Sequence, residues 1–172
     1  GADAEVIAVG DAFLRGLGLT RIELQLNSIG DEVCRPAYRD ELVAFLRANR
    51  DRLTDEHKDR FEDNPLRVLD CKDDACRTVA REAPRITERL CGPCLVHFEG
   101  VQARVKDAGL SWTIEPTLVR GLDYYTRTAF EFVSPGLSPQ QGTLFGGGRY
   151  DGLAEVLGGP HVPGVGFGMG ME

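Results

Sequence analysis

Arg120 and Gly121 stand just ahead of the paired Tyr124 and Tyr125 in the stretch L-V-R-G-L-D-Y-Y-T, residues 118 to 126. A guanidinium forks onto a carboxylate or a phosphate. A glycine lets the backbone turn, or lets a ligand approach it closely. Tyrosine rings supply flat apolar walls with polar tips. The chemistry this kit offers is recognition of a small ligand that carries an anionic group. The competing reading is a buried tyrosine pair beside a surface arginine.

A second constellation runs from Gly164 to Gly170 and reads G-V-G-F-G-M-G. Alternate residues of a strand share a face, so Val165, Phe167 and Met169 are expected inward while Gly164, Gly166, Gly168 and Gly170 leave the other face bare. Glycines inside a strand cost stability, and close approach by a ligand or another backbone is the usual reason for them. Gly146, Gly147 and Gly148 offer another place where a small ligand could lie against backbone. They do not form a P-loop, because the lysine and the following serine or threonine are missing.

Four of the five cysteines fall between Cys71 and Cys94, spaced C-x4-C, fourteen residues, then C-x2-C. Two close pairs can close a tetrahedral thiolate site, which makes Cys71, Cys76, Cys91 and Cys94 candidates for structural Zn2+. The alternative is a set of small, half-buried thiols at helix ends. Cys91-Gly92-Pro93-Cys94 also matches the thioredoxin tetrapeptide, but a redox pair should follow a buried strand, and Thr87-Glu88-Arg89-Leu90 is charged and helix-like.

Composition narrows the class. The 172 residues are 42% apolar and 27% charged, enough for one ordinary core or a core with a small appendage. No run approaches a membrane span, and the N-terminus lacks a signal pattern, so a cytoplasmic location with no membrane contact is expected. A net charge of -7 opposes sequence-blind nucleic-acid binding while leaving room for a local RNA contact. An odd number of cysteines without a secretory signal points to free thiols or metal.

The elements that position these residues follow from periodicity. Val6, Ile7, Gly10, Phe13, Leu14 and Leu17 give a helix over residues 3 to 17 one apolar face. Arg21 to Asn27 alternates, with Ile22, Leu24 and Leu26 inward and Glu23, Gln25 and Asn27 outward, as in a half-buried strand. Pro36 opens a helix on which Tyr38, Leu42, Phe45 and Leu46 face inward. Arg35, Arg39, Arg47, Arg50, Arg52, Lys58 and Arg60 form either a solvated face partnered by Asp40, Glu41 and Asp51 or a polyanion contact. Thr54 is a candidate N-cap, and Leu66 to Leu69 a brief apolar segment. A helix over 95 to 108, carrying Leu95, Phe98, Val101 and Val105, stops at Gly109. Trp112 to Leu118, Thr128 to Val133 and Thr143 to Gly148 read as extended. The expectation is a sheet domain interrupted by a helical insertion: strand-bearing segments at 1–30 and 111–172 and the helical insertion at 31–110.

Together, L-V-R-G-L-D-Y-Y-T (118 to 126), G-G-G-R-Y-D-G-L (146 to 153) and G-V-G-F-G-M-G-M-E (164 to 172) resemble the histidyl-tRNA synthetase family, the last being similar to the start of motif 3 of class II aminoacyl-tRNA synthetases. N-S-I-G at 27 to 30, Y-R-D at 38 to 40 and N-P-L-R-V-L-D at 64 to 70 extend the likeness over nearly the whole chain. The resemblance implies a mixed α/β fold of the α+β type, built on an antiparallel sheet, with an insertion that approaches the tRNA acceptor arm. It implies a homodimeric ligase that joins histidine to ATP, with Mg2+, as an adenylate and then charges histidine tRNA.

By motif position, Arg120 would contact the histidine carboxylate and the α-phosphate. Tyr124 and Tyr125 would line the imidazole pocket, Tyr150 would close it beside Gly146 and Gly148, and Gly166 would let substrate lie on the sheet. Motif 1, motif 2, the motif 3 arginine and an anticodon-binding domain are not among these residues. The expectation is a part of a synthetase that forms no histidyl-adenylate alone, with sheet edges exposed or paired with another copy. The alternatives are a histidine-sensing paralogue such as the synthetase-like regulatory subunit of ATP phosphoribosyltransferase, and a zinc-stabilised interaction module.

Overall fold

The computed structural model describes residues 1–119, 124–135 and 142–170. Arg120 and Gly121 lie outside the described residues, so the expectations resting on them concern positions not described. Helix α1 (Ala2–Gly16) carries Asp3 and Glu5 in its first turn and Arg15 in its last, which complements the helix dipole. Its Ile7 and Leu14 are buried, and Gly10 lets it lie close to the sheet: a Cβ there would meet the ring of Phe145, 2.8 Å from Cε2.

Strand β1 (Glu23–Ser28) follows. Four helices come next: α2 (Arg35–Ala48), with Pro36 in its first turn, α3 (Asp55–Lys58), α4 (Leu66–Leu69) and α5 (Asp74–Glu82). Asp73 caps α5 by accepting from the Ala75 amide at 2.9 Å. Helix α6 (Gly92–Asp107) leads to β2 (Trp112–Ile114), then β3 (Thr126–Val133), β4 (Thr143–Arg149), α7 (Leu153–Val156) and β5 (Val165–Met169).

Among the described residues the five strands form one sheet in the order β2-β1-β3-β4-β5. β2 runs parallel to β1, and the other neighbours are antiparallel. Leu24 pairs with Phe132 and Leu26 with Phe130, so one face is a continuous apolar layer. Phe145 joins it with its ring 4.7 Å from Phe132, and Phe167 lies 4.6 Å further along from Phe145. Helices α1 and α6 cover this face through Ile7, Leu14, Phe98, Val101 and Val105. A second core gathers Tyr38, Leu42, Leu46, Val68, Val79 and Ile86 from the other helices with Ile29, Leu118, Val119, Tyr125 and Ala129.

Three local expectations are corrected. Asn27, expected at the surface, is fully buried, because the segment after β2 crosses over the end of β1 and accepts from its side chain. The last helix of the helical stretch starts at Gly92, and its inward row begins with Cys94, leaving Leu95 42% exposed. Phe13 and Leu17 of α1, expected on the inward face, are exposed, because the buried stripe runs through Ile7, Gly10 and Leu14.

The cationic run resolves into particular partners. Arg47 pairs with Glu62, Arg50 with Asp59, Arg52 with Glu82 and Lys58 with Asp55, while Arg39 donates to the Glu62 and Asp63 carbonyls. It reads as a solvated face, but its acids come mostly from α3, α5 and the turns between; Glu41 pairs instead with Arg89. None of the described helices is long and apolar enough to cross a membrane.

Candidate functional site

On the sheet face opposite α1 and α6, β4 and β5 present glycines in two neighbouring rows. Across β1, β3, β4 and β5 the register aligns Asn27, Ala129, Gly148 and Gly166 in one row, and Gln25, Glu131, Gly146 and Gly168 in the next. Gly147 falls on the other face, between Phe130 and Phe167. A Cβ on Gly147 would collide with the Gly166 carbonyl and stand 2.7 Å from Phe167 Cα, so β4 and β5 meet closely there.

Three tyrosines stand over this floor. The rings of Tyr124 and Tyr125 are 5.1 Å apart, and Tyr150 meets both edge-on at 6.3 and 6.2 Å. Tyr125 is buried and lies on Gly148, while Tyr150 lies over Gly164 and Gly166: a Cβ on Gly166 would stand 2.9 Å from the Tyr150 hydroxyl oxygen. The face expected to be bare is thus covered at Gly148 and Gly166 by the protein's own rings. Open space remains at Gly168, where a Cβ would meet nothing within 4 Å. Of β5's expected inward residues, Phe167 packs on Phe145, while Met169 is 37% exposed at the strand end.

On the same face, at Gln25 and Glu131, opens a cavity of about 340 Å³ that also draws on Glu115, Lys72, Arg77 and Arg81. Tyr124, Tyr125, Tyr150, Gly146, Gly148 and Gly166, expected as site residues from sequence, therefore come together on one floor with one aromatic wall. The cavity's cations, from α5 and the turn before it, were not singled out by any sequence signal.

Two arginines and an asparagine, whose roles the sequence did not reveal, fix this floor. Arg35 donates to the carbonyls of Ile29, Gly30 and Tyr125, the last at 2.6 Å, tying the start of α2 to the tyrosine segment. Asn27 Nδ2 donates to the Pro116 and Leu118 carbonyls at 3.3 and 2.9 Å, holding the approach to residue 120. Arg149 turns to the α1 side, where Nε donates to Asp3 at 3.0 Å and Nη1 to Asp151 at 2.8 Å. His97 Nε2 lies 3.0 Å from Thr128 Oγ1 and 3.4 Å from Asp3. Burial alone would raise the Asp3 pKa, but hydrogen bonds from His97 and Arg149 outweigh it and hold the carboxyl well below the ordinary range. With Asp3, Asp151 and Tyr150 N–H→Gly164 O at 2.8 Å in place, Tyr150 has a fixed base.

The cysteines do not assemble as expected. Cys71 and Cys76 lie with His57, whereas Cys91 and Cys94 lie with Asp31 and Cys34. Helix α5 and the turn at Ile86–Glu88 intervene: Cys76 packs in the first turn of α5 against Thr54, its Sγ 3.4 Å from Oγ1, while Cys91 stands at the N-cap position of α6. Cys91-Gly92-Pro93-Cys94 does open a helix, but a 3-10 turn precedes it rather than a strand. Burial, Asp31 and the neighbouring thiols push the Cys94 thiol far up.

The histidyl-tRNA synthetase family model matches residues 1–172. The histidine–tRNA ligase of Caldanaerobacter subterraneus subsp. tengcongensis is 53% identical over 171 residues, which are 99% of this chain and 41% of that protein. The crystal structure of apo Staphylococcus aureus histidyl-tRNA synthetase superposes with a TM-score of 0.74 at 36% identity, over 99% of this chain and 41% of that one. A Bacillus halodurans structure described as an ATP phosphoribosyltransferase regulatory subunit/histidyl-tRNA synthetase shares the fold, with a TM-score of 0.59 at 24% identity over 98% of this chain and 47% of that one. This chain therefore spans about two fifths of the length of the curated relatives it matches, 41% of the Caldanaerobacter protein, and with its whole length matched by the family model, it belongs to the histidyl-tRNA synthetase family.

Proposed function

We propose that this segment supplies the amino-acid-recognising part of a histidine–tRNA ligase. The observation that carries this reading is the aromatic wall of Tyr124, Tyr125 and Tyr150 over the glycine rows of β4 and β5. Rings with polar edges suit an imidazole, which needs flat contact and hydrogen-bond partners at two nitrogens. Gly148 and Gly166 make room for the Tyr125 and Tyr150 rings to lie on the floor, and the neighbouring row of Gly146 and Gly168 keeps side chains off the space beside them, where substrate can approach the sheet.

In this reading Arg120 is the catalytic cation. The histidine carboxylate attacks the α-phosphorus of ATP, the bond to the β-phosphate oxygen breaks, and pyrophosphate leaves. A guanidinium over the reacting oxygens stabilises the charge that builds there. ATP enters with Mg2+, and transfer of the histidyl group to tRNA follows. Residues 31–110 act as the insertion near the tRNA, between catalytic segments 1–30 and 111–172, in a cytoplasmic homodimer. Adenylate formation draws on the rest of the ligase, and this polypeptide by itself is expected to be inactive.

The test is histidine-dependent ATP–pyrophosphate exchange in the full-length protein that carries these residues. Arg120→Ala should collapse exchange, and Tyr150→Ala should raise the histidine KM about tenfold or more, the loss of one good aromatic contact. Histidine binding without any exchange in the unmodified protein would replace this reading with the sensing paralogue, whose fold is shared.

A further inference from the structure

The group of Asp31, Cys34, Cys91 and Cys94 has no part in the chemistry described above, and it joins two separate pieces of the chain. Asp31 and Cys34 come from the turn between β1 and α2, and Cys91 and Cys94 from the start of α6, at its N-cap position and in its first turn. One ligand atom from each lies within 4.8 Å of all the others. Cys34 and Cys94 are buried, and Asp31 and Cys91 half-buried, so the cluster is closed to solvent on most sides.

Its geometry is held from several directions. The Asp31 amide donates to Cys34 Sγ at 3.4 Å, and Cys91 Sγ lies 3.7 Å from Asp31 Oδ1. Gly30 has φ 65°, and a Cβ there would stand 2.7 Å from Cys34 Sγ, so this glycine makes room for the sulfur. Cys91 and Cys94 are fixed at the start of the 16-residue helix α6, one at its N-cap position and the other in its first turn. Arg127 stands beside the cluster with Nη2 3.4 Å from Asp31. It does so from the left-handed region, at φ 56°, a conformation a non-glycine residue holds only when its surroundings enforce it.

We infer that Asp31, Cys34, Cys91 and Cys94 bind a zinc ion that staples the start of α6 and the β1–α2 turn to the sheet beside the tyrosine wall. Three sulfurs and one carboxylate oxygen suit Zn2+ in a closed tetrahedral site, and sulfur donors disfavour Mg2+ or Ca2+. Zn–S bonds of about 2.3 Å separate tetrahedral donors by about 3.8 Å, so donors that already lie within 4.8 Å of one another close by about an ångström. Three thiolates and one carboxylate around a divalent ion leave two net negative charges, and Arg127 offsets one of them. Binding releases the thiol protons to solvent and needs no oxidant. The group of His57, Cys71 and Cys76 offers one donor fewer.

The test uses this 172-residue chain, produced in zinc-supplemented medium and purified without chelator. Elemental analysis should find one zinc per chain, retained in Cys71→Ser and Cys76→Ser and lost in Cys34→Ser and Cys91→Ser. Arg127→Gln should weaken zinc affinity about tenfold, as loss of an outer partner does. Cobalt substitution of the unmodified chain requires no variant to fold: a tetrahedral d–d spectrum with charge-transfer intensity for three thiolates is expected. Zinc-free protein that also gives no such spectrum overturns the inference. So does zinc that follows Cys71 and Cys76, or a chain two hydrogens light whose free thiol count shows a disulfide among Cys34, Cys91 and Cys94.

Discussion

Gly148 lies flat against the ring of Tyr125: a Cβ at this position would stand 2.9 Å from Tyr125 Cδ1 and 2.6 Å from the Thr128 carbonyl oxygen. The Thr128 backbone is held by its pairing with Ser28 of β1, so the crowding has no cheap relief. Gly148→Ala should destabilise the chain by roughly 2 kcal/mol, in the range of overpacked sites. Gly168→Ala, in the next row with open space, should change stability little. Urea unfolding of both variants distinguishes them, and equal midpoints would show that β4 is not held this tightly.

Asp3, buried, pairs with the half-buried Arg149 at the junction of α1 and β4. Asp3→Asn leaves the guanidinium with Asp151 alone and should cost roughly 3 kcal/mol near neutral pH. The pH dependence has a definite sign. The folded pKa lies well below the ordinary 3.8, so the unfolded chain binds the proton first as pH falls. The stability from this carboxylate is present above about pH 5 and lost on acidification through the ordinary value towards the folded one. Melting curves between about pH 6 and pH 3 should therefore show the gap between wild type and Asp3→Asn narrowing. A constant gap would mean that Asp3 is not ionised against Arg149.

Asn27 bridges β1 to the segment that precedes residue 120, with both amide hydrogens used on the Pro116 and Leu118 carbonyls. Its own Oδ1 is buried without a partner among the described residues. Asn27→Ala strands two carbonyls and should cost about 2 kcal/mol, while Asn27→Asp, which offers no donors there, should cost more. Hydrogen exchange at the amides of 117 to 119 should accelerate in both variants. Unchanged exchange would show that the asparagine does not hold this segment.

Arg35 and Arg52 are both arginines of the cationic run, yet they should respond differently to substitution. Arg35 ties together the carbonyls of Ile29, Gly30 and Tyr125, whereas Arg52 makes an exposed pair with Glu82. Arg35→Met should lower the melting temperature by several degrees and change the near-ultraviolet signal of the tyrosines. Arg52→Met should leave both nearly unchanged, because exposed pairs contribute little. Thermal melts followed by circular dichroism check both, and matching losses would refute the distinction.

The sequence by itself determined the strands, most of the helices and the family. Period-two alternation at Leu24 and Leu26, and again at Phe130 and Phe132, shows which residues share the apolar face, because side-chain direction along a strand is a local property. The tyrosine pair and the glycine rows were legible for the same reason: their meaning lies in neighbouring positions. Tertiary structure alone decided what depends on distant segments meeting. Asn27 reads as an outward residue until the crossing segment at 116 to 118 covers it. Cys71 and Cys76 are near Cys91 and Cys94 in sequence, yet Cys34 and Asp31, some sixty residues earlier, stand beside the latter pair in space. Periodicity records which way a side chain points, but the packing of α6 on α1 and of α2 on the end of β1 selects its neighbours, and no local pattern encodes that selection.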